Sequence, residues 1–389
     1  MTPLSNSFIA PDRAGAMEPF YPLHAYVCSQ CRLVQLEEFE SPERIFGDYI
    51  YFSSMSESWL CHAEAYAAMM VQRFGLGPWS SVVEVASNDG YLLQYFQRRG
   101  VAVLGVEPAA NVAAVAIGKG VSSEVAFFGV ATAQRLKAQG VAPDVIAANN
   151  VLAHVPDVND FVQGFTVLLN PAGVLTVEFP HLLRLMQETQ FDTIYHEHFS
   201  YLSLHVVQRI FARHGLRVFD VERLPTHGGS LRVFACHAGS LHADQAGVAD
   251  VLAQEVAAGL ETAEAYKAFA RQVVETKCAL LRFLLDARAA GKSVAAYGAP
   301  AKGNTLLNYC GIGPELVAFT VDRSPHKQGK LLPGTRIPVH APEAIEAVKP
   351  DYVLILPWNL QAEITAQMAG IRAWGGQFVL PIPAVHVLS

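Results

Sequence analysis

The sequence predicts an α/β protein with two doubly wound domains, in which parallel sheets are flanked by helices. Three observations predict this. Short apolar runs alternate with amphipathic helices between about residues 80 and 180, the same pattern returns after Lys292, and a long helical region separates the two. Strands buried on both faces read as apolar runs, and parallel neighbours need helical crossovers. The predicted segments are an N-terminal module (1–58), a first α/β domain (59–238), a helical connector (239–291) and a second α/β domain (292–389).

The individual elements follow from their periodicity. A helix is predicted where apolar residues recur at spacings of three and four, at Trp59, Ala63, Tyr66, Met70 and Phe74. Strands of the first domain are predicted at Val82–Val85, Ala102–Val106, Val145–Ala148, Gly173–Phe179 and Leu231–Ala235, and further helices at Tyr91–Arg99, Val112–Lys119 and Phe161–Leu169. Few helix breakers occur from Ala238 to Gly291, which predicts one long helical region. Strands of the second domain are predicted at Ser293–Tyr297, Val317–Val321 and Tyr352–Leu356.

Composition excludes several classes of protein. Of 389 residues, 51% are hydrophobic and 16% charged, which is enough apolar surface for large cores. The net charge of −7 argues against a nucleic-acid partner, which would need a basic patch. No apolar run reaches the roughly 18 residues of a membrane span, and the first residues lack the features of a signal peptide. Six cysteines without framework spacing predict a reducing, cytoplasmic location. The sequence does not indicate an oligomeric state.

A polar turn at the end of the first strand is the predicted cofactor site. The segment Val82–Gly90 ends a strand and precedes a helix, at the sheet edge where doubly wound folds bind ligands. Glu107 ends the next strand, where a carboxylate can bind two ribose hydroxyls. Since the turn has a single glycine, it departs from the dinucleotide pattern and suits S-adenosylmethionine, which has no phosphate, better than NAD. The predicted cofactor-binding residues are Glu84, Ala86, Asn88, Gly90, Glu107, Pro108, Asn149 and Asn150. A buried strand with an ordinary polar turn is the alternative.

A second polar cluster, Tyr195–Tyr201, carries several ionisable groups in succession beside a predicted strand that ends near His181. An exposed loop would accommodate these residues at little cost, and His154 alone reads as easily as a core or capping histidine. A metal is less well supported, because the order of residues is not H-E-x-x-H and no third ligand is obvious. The functional interpretation is proton abstraction next to a carbonyl by a histidine, with a tyrosine stabilising the enolate oxygen. The residues alone leave carbon and oxygen open as methyl acceptors.

The turn Tyr297–Thr305 is the candidate anion site of the second α/β domain. It is rich in small residues, precedes a predicted helix and contains Lys302, features that suit a phosphate. Arg323 follows the next strand and lies within reach of a diphosphate in this interpretation. The turn is not a P-loop, because G-x-x-x-x-G-K-[ST] does not fit. An ordinary βα turn without a ligand is the alternative.

Taken together, these stretches resemble the sugar C-methyltransferase family of deoxysugar biosynthesis, which methylates nucleotide-linked 4-keto sugars at C3 or C5. The resemblance covers nearly the whole chain and is most specific at Cys28–Leu36, Glu84–Gly90, Asn149–Pro156, Tyr195–Tyr201, Pro225–Ser230 and Tyr297–Asn304. It implies a zinc-binding N-terminal module, a class I S-adenosylmethionine-dependent methyltransferase domain and a C-terminal Rossmann-like domain that helps to hold the nucleotide. The partner it implies is a nucleotide-linked keto sugar, with dTDP as the expected nucleotide.

The resemblance also implies roles for individual residues. His198 would be the general base, and Tyr49, His154, Tyr195 and Glu197 would surround the sugar and its enolate. Tyr51 is close enough to Tyr49 in the chain to take its place. The substrate-binding residues would be His181, His196, His227, Lys302, Asn304 and Arg323.

One departure concerns the zinc. The family holds it with two C-x-x-C pairs, and here Cys28 and Cys31 form one pair while nothing upstream supplies another. Two thiolates do not fill a tetrahedral structural site, and Cys61 is too far along the chain to be a convincing substitute. Because the opening residues look like family sequence from between the pairs, we expect that the chain begins at an internal methionine. Without the resemblance, the pair reads as ordinary thiols.

Other functions remain open at this level. A methyltransferase acting on a hydroxyl or another small molecule would use the same cofactor site. An NAD-dependent nucleotide-sugar oxidoreductase or epimerase is disfavoured by the missing glycines and by the absence of a Tyr-x-x-x-Lys pair. A degenerate nucleotide-sugar-binding protein without activity is disfavoured by the intact segment Tyr195–His198.

Overall fold

The computed structural model describes residues 1–47 and 52–388. They group into two compact units. The central unit comprises Val27–Leu182 and His198–Ala258, and the terminal unit comprises Met1–Tyr26, Leu183–Glu197 and Gly259–Ser389. Both units draw on separated stretches of the chain, with boundaries after residues 26, 182, 197 and 258. The four-segment division given above stays a prediction.

The strands of the described residues are β1 (Tyr26–Val27), β2 (Val34–Gln35), β3 (Ser81–Val85), β4 (Ala102–Val106), β5 (Ser123–Glu124), β6 (Val145–Asn149), β7 (Val174–Pro180), β8 (Ser200–Tyr201), β9 (Leu216–Leu224), β10 (Ser230–His237), β11 (Val294–Tyr297), β12 (Thr320–Val321), β13 (Val339–His340), β14 (Tyr352–Ile355), β15 (Gln377–Leu380) and β16 (His386–Leu388). The helices are α1 (Pro42–Phe46), α2 (Glu57–Phe74), α3 (Leu93–Gln97), α4 (Ala110–Gly118), α5 (Val130–Ala138), α6 (Val158–Leu168), α7 (Leu182–Gln187), α8 (Leu204–Arg213), α9 (Ala246–Ala257), α10 (Ala263–Ala289), α11 (Ala301–Cys310), α12 (Glu343–Val348) and α13 (Gln361–Gln367).

The central unit is built on a sheet whose described strands run in the order β5-β4-β3-β6-β7-β10-β9. The pairs β4–β5, β3–β4, β3–β6 and β6–β7 are parallel, and β10 is antiparallel to both neighbours. Alternate residues of β3 face opposite sides, so Val83 and Val85 join one apolar cluster and Val82 the other. The sheet is therefore covered on both faces, and its carboxyl edge remains available for ligands.

Helix ends of the central unit follow local capping chemistry. Ser56 accepts a hydrogen bond from the amide of Trp59 at the start of α2, and Gly75 ends that helix with a left-handed φ of 61°. Asp157 and Ser203 cap α6 and α8 in the same manner. A separate short antiparallel pairing joins β2 to β8 through Val34 opposite Tyr201. This pairing fixes the chain immediately after His198.

The terminal unit contains a second α/β sheet, with its described strands in the order β13-β12-β11-β14-β15-β16. All pairs are parallel except β15–β16. The strand order reverses between β11 and β14, where doubly wound sheets have a crevice at their carboxyl edge. Helix α10 packs on this sheet through Leu280, Leu284 and Ala287, which recur at helical spacing. Phe191 of the inserted segment Leu183–Glu197 joins the same apolar cluster.

Most predicted elements are confirmed within one to three residues at their ends, including the α2 helix and strands β3, β4, β6, β7, β10, β11 and β14. The structure adds two details to these predictions. The helical region Ala238–Gly291 is divided into α9 and α10, which are separated at Gly259, a residue with a left-handed φ of 75°. The first sheet is mixed, because β9 and β10 form an antiparallel pair beside its parallel strands. No helix within residues 1–47 and 52–388 combines the length and the apolar character needed to cross a membrane.

Candidate active site

The turn after β3 adopts a conformation that costs energy. Ala86 and Asn88 have left-handed φ values of 57° and 49°, which side-chain-bearing residues rarely adopt. The amides of Ala86 and Ser87 both donate to the carbonyl of Val106 on β4, which holds the turn in place. A Cβ on Gly90, at φ 76°, would lie 3.1 Å from Val121 Cγ2. Strained backbone of this kind is typical of binding sites.

Glu107 links this turn to the end of β4. Its carboxylate accepts hydrogen bonds of 2.9 Å from the amides of Asn88 and Ala109. Burial raises the pKa of the Glu107 carboxyl, and the two amide donors lower it in part. Glu84 is also buried, and burial raises its pKa well above the usual value, although the nearby hydroxyl of Tyr91 lowers it. Both predicted carboxylates therefore lie beside the turn.

The turn fits a polar ligand such as S-adenosylmethionine. Ser87 Oγ, Asp89 Oδ1 and Asn149 Oδ1 are buried and find no hydrogen-bond partner among residues 1–47 and 52–388. Unsatisfied buried polar atoms are costly, so a group of them at the carboxyl edge of a sheet indicates a polar ligand there. Pro108 follows Glu107 directly at the same edge. The residues predicted to bind the cofactor are thus gathered at the ends of β3, β4 and β6.

Several residues that the sequence did not single out also contact this turn. The amide of Ser53 donates to Asn88 Oδ1 at 2.8 Å, and Ser54 hydrogen-bonds to Asp89. Lys119 Nζ lies 3.1 Å from Asp89 Oδ2. The segment that precedes α2 therefore covers the cofactor turn. No periodicity or motif in the sequence signals this contact, because it joins residues 35 positions apart.

Two predicted histidines meet in the central unit. The rings of His154 and His198 are 4.6 Å apart between centroids and nearly perpendicular. His154 lies in a 3-10 turn after β6, and the amide of Phe199 donates to the carbonyl of Ala153 at 2.7 Å. The Phe46 ring also lies edge-on to that of His154, with the ring centroids 5.7 Å apart. Because β6 neighbours β3, the pair lies at the same sheet edge as the cofactor turn.

The residues before His198 belong to the terminal unit. Glu197 is buried, and Asn6 Nδ2 donates to its Oε1 at 2.6 Å. Burial raises the pKa of Glu197 to about 7, while the hydrogen bond from Asn6 lowers it in part. His196 Nε2 lies 2.9 Å from the carbonyl of Pro22, and burial lowers its pKa. Tyr195 is half-buried, and Tyr49 and its alternative Tyr51 lie outside the described residues.

His181, predicted to bind substrate, is buried and paired with Glu255. His181 Nε2 lies 2.7 Å from Glu255 Oε1. The same carboxylate accepts hydrogen bonds from the amides of Leu204 and His205, the first residues of α8. This contact accounts for the position of His181 without a substrate.

Around β7, a polar network was not foreseen from the sequence. Glu178 Oε2 lies 3.0 Å from both Arg232 Nη2 and His62 Nε2, and its Oε1 accepts from Thr226 at 2.9 Å. Burial raises the pKa of Glu178, but His62 and Arg232 outweigh it and the net pKa is lowered. Trp59 stacks on His62 at 4.9 Å. The three-residue spacing of Trp59 and His62, which places both on one face of a helix, is the sequence signal that could have indicated this stacking.

His227 lies at the edge of this network. Its φ is 54°, and its ring lies 5.3 Å from that of Trp59. Asn150, also left-handed at φ 53°, places its Nδ2 3.4 Å from His227 Nε2. Asn150 is fixed by its amide, which donates to the carbonyl of Glu178 at 2.7 Å. Asn150, which was predicted to bind the cofactor, and His227, which was predicted to bind the substrate, are therefore in contact.

In the terminal unit, Lys302 lies at the strand-order reversal. Its ammonium donates to Asn359 and lies 4.2 Å from the centre of the Trp358 ring. Trp358 Nε1 donates to Asp192 at 2.8 Å. Burial raises the pKa of Asp192 to about 6, and burial lowers that of Lys302 to about 8. The crevice around Lys302 therefore already contains a carboxyl group, that of Asp192.

Asn304 and Arg323, the other two residues predicted to bind substrate in this unit, have contacts different from those of Lys302. Asn304 is buried and donates to the carbonyl of Ser5 at 2.6 Å. Arg323 is exposed and lines a cavity of about 610 Å³ together with Tyr297 and Gln367. The cavity is broadly open to solvent, and Glu343 also lines it.

The cysteine pair offers two ligands. Cys28 and Cys31 lie in a turn in which the amide of Arg32 donates to the carbonyl of Cys28. Backbone amides, first that of Cys31, lower the pKa of the Cys28 thiol to about 7. Across residues 1–47 and 52–388 no three His, Cys, Asp or Glu side chains are grouped as metal ligands would be. These residues therefore do not complete a four-ligand zinc site.

Comparisons with known proteins identify related methyltransferases. Family profiles match residues 225–383, described as "C-methyltransferase C-terminal domain", residues 59–221, described as "Methyltransferase domain", and residues 1–46, described as "Putative zinc binding domain". The chain is 37% identical over 388 residues to the C-methyltransferase NovU of Streptomyces niveus. The aligned region covers 100% of this chain and 92% of NovU.

Solved structures with similarity include two methyltransferases. One is magnesium protoporphyrin IX methyltransferase from Synechocystis PCC 6803 with bound S-adenosylmethionine, at 15% identity and a TM-score of 0.36, covering 50% of this chain and 88% of that one. The other is an S-adenosylmethionine-dependent methyltransferase from Mesorhizobium loti, at 15% identity and a TM-score of 0.35, covering 45% of this chain and 99% of that one.

Proposed function

Since the chain belongs to the sugar C-methyltransferase family and is an S-adenosylmethionine-dependent C-methyltransferase, we propose that its methyl acceptor is a nucleotide-linked 4-keto deoxysugar. The observation that supports this most is the contact between His154 and His198, 4.6 Å apart at the edge that carries the cofactor turn. An imidazole there suits removal of an acidic proton beside a ketone. The expected nucleotide is dTDP, and the expected compartment is the cytoplasm.

Each step falls to residues of this chain. His198 accepts the proton from the carbon next to the ketone, and His154 holds its ring. Tyr195 and Tyr49 are proposed to bind the sugar and the enolate oxygen, and Glu197 to favour the cationic form of the adjacent base. The turn between Glu84 and Gly90, together with Glu107, holds the cofactor. When bound, S-adenosylmethionine supplies an electrophilic methyl group at this edge.

For the nucleotide, the cavity beside Arg323 is the part of the terminal unit that supports binding best. The Arg323 guanidinium lies 3.5 Å from the exposed carboxylate of Glu363, and an exposed pair of this kind contributes little, so the guanidinium suits a diphosphate. Lys302 is already paired with Asn359, and Asn304 with Ser5. Their roles in substrate binding, like those of His181, His196 and His227, stay predictions.

The test is incubation with isotopically labelled S-adenosylmethionine and a panel of 4-keto nucleotide sugars, with products read by mass spectrometry and carbon NMR. A new carbon–methyl bond beside the ketone is expected. His198→Asn should retain cofactor binding and lose turnover by about a thousandfold or more, the range of a general base. His386→Asn, an exposed histidine, is the matched control.

Solvent deuterium exchange separates this function from methylation of a hydroxyl. Without methyl donor, the wild-type protein should exchange the proton beside the ketone, and His198→Asn should not. A methylated oxygen without such exchange would favour the hydroxyl-directed alternative. Full activity of His198→Asn would exclude the assigned base.

A further inference from the structure

The first residues of the chain form a strap, Thr2–Ile9, that is held at both ends within the terminal unit. The backbone of Thr2 exchanges two hydrogen bonds of 2.9 Å with Tyr21. At the other end, Ile9 and Leu331 exchange hydrogen bonds of 3.0 and 2.8 Å. Backbone bonds at both ends restrict where the residues between them can lie.

The middle of the strap is fixed to α11. Asn304, which exposes 1% of its surface, donates from Nδ2 to the carbonyl of Ser5 at 2.6 Å. The hydroxyl of Ser5 also lies 3.4 Å from that of Thr305. A buried side-chain amide bound to backbone is a costly contact to break. Helix α11 therefore sets the position of the residue that follows Ser5.

That residue is Asn6, and it contacts Glu197. Its Nδ2 donates to Glu197 Oε1 at 2.6 Å, and Glu197 exposes 5% of its surface. Burying a carboxylate is unfavourable unless a donor compensates it. Burial raises the pKa of the Glu197 carboxyl and the hydrogen bond from Asn6 lowers it, while the Nε2 of the neighbouring His196 lies 2.9 Å from the carbonyl of Pro22.

We propose that Asn6 is a positioning residue, which orients the Glu197 carboxylate and keeps it ionised for catalysis. Asn304 contributes indirectly, because it holds the strap that carries Asn6. This inference rests on the proposed function, in which the adjacent base becomes cationic when it takes the proton. A carboxylate next to it in the chain favours that cation only if the carboxylate is itself charged.

The expected consequence is a change in pH dependence. Burial raises the pKa of Glu197 to about 7, and the donor from Asn6 opposes this. Without the donor the pKa rises further, so the charged form is reached only at higher pH. The acid limb of kcat should therefore move upward by about one pH unit, the size expected for a hydrogen bond to a charged group.

The experiment compares Asn6→Ala with Asp12→Ala, an exposed residue shortly after the strap. At pH 7, Asn6→Ala should lower kcat about fivefold to tenfold, with recovery near pH 9 and an unchanged KM for S-adenosylmethionine. Asn6→Ser, which keeps a donor, should restore part of the loss. In a Glu197→Gln background, Asn6→Ala should have no further effect, because no ionisation remains to be supported.

A second readout does not depend on turnover. Carbon NMR of protein labelled at glutamate carboxyls, assigned by loss of the signal in Glu197→Gln, gives the titration midpoint of Glu197 directly. An upward shift in Asn6→Ala is expected, and an unchanged midpoint overturns the inference while leaving methyl transfer intact. A loss of kcat that is equal at every pH would also overturn it. A shifted midpoint in a protein that methylates no keto sugar would instead exclude the proposed function.

Discussion

At the scale of the residue, strained backbone is found at and near the candidate cofactor turn. Ala86, Asn88, Asn150 and His227 all adopt left-handed φ values, and each lies at the carboxyl edge of the central sheet or in the turn before β10. Such backbone is unfavourable by about 1–3 kcal/mol for a residue with a side chain. The surrounding fold tolerates that energy where it shapes a site, which supports the location of the cofactor turn.

Glu107→Ala tests that location. The substitution removes the acceptor for the amides of Asn88 and Ala109, and it removes the carboxylate expected to bind ribose hydroxyls. We expect the Kd for S-adenosylmethionine, measured by calorimetry, to rise at least tenfold. Glu124→Ala, at the end of β5, is the control. An unchanged Kd would place the ribose elsewhere.

At the scale of the element, the start of α8 depends on a carboxylate from another helix. Glu255 on α9 accepts hydrogen bonds from the amides of Leu204 and His205 and contacts His181 at the end of β7. A negative charge at a helix N-terminus is favourable, and here it is also buried. This single side chain joins α8, α9 and β7, and α8 follows directly on the segment that holds His198.

Glu255→Ala should destabilise the protein by about 2–4 kcal/mol, because it leaves two amides and an imidazole buried without their acceptor. Urea unfolding measures this, with Gln254→Ala, exposed on the same helix, as the control. His181→Asn should lower stability and leave the KM of the sugar unchanged. A raised KM at unchanged stability would instead return His181 to the substrate site.

At the scale of the whole molecule, the chain passes between two compact units at four points. Glu197 is the last residue of one stretch of the terminal unit, and His198 is the first residue of the next stretch of the central unit. These two consecutive residues are therefore anchored by different cores. Asn6 and Phe191 anchor the terminal side, and the β2–β8 pairing anchors the central side.

Thermal unfolding in the presence of ligands tests the cofactor assignment for the intact protein. S-adenosylhomocysteine at about 100 times its Kd should stabilise the folded protein by about 2.7 kcal/mol and raise Tm by several degrees. NAD at the same concentration should leave Tm unchanged, since the turn lacks the glycines that a pyrophosphate needs. A shift with NAD alone would favour the oxidoreductase interpretation.

The sequence by itself determined the α/β class, most strands and the helices that alternate with them. Apolar runs such as Val145–Ala148 have few other stable placements, and the turn chemistry of Glu84–Gly90 is local. The sequence also predicted that His154 and His198 belong to one site, and this prediction came from the family resemblance rather than from residue spacing. The break between α9 and α10 was missed because Gly259 alone is a weak signal in an alanine-rich stretch.

Only the tertiary structure decided the contacts between residues that are distant in the chain. Asn6 meets Glu197 across 191 positions, Asn304 meets Ser5 across 299, and Glu255 meets His181 across 74. A local pattern carries no information about such pairs, because a polar side chain in isolation is equally compatible with solvent or a partner. Burial selects the partner, since a polar group removed from water must be satisfied by whatever the fold brings to it.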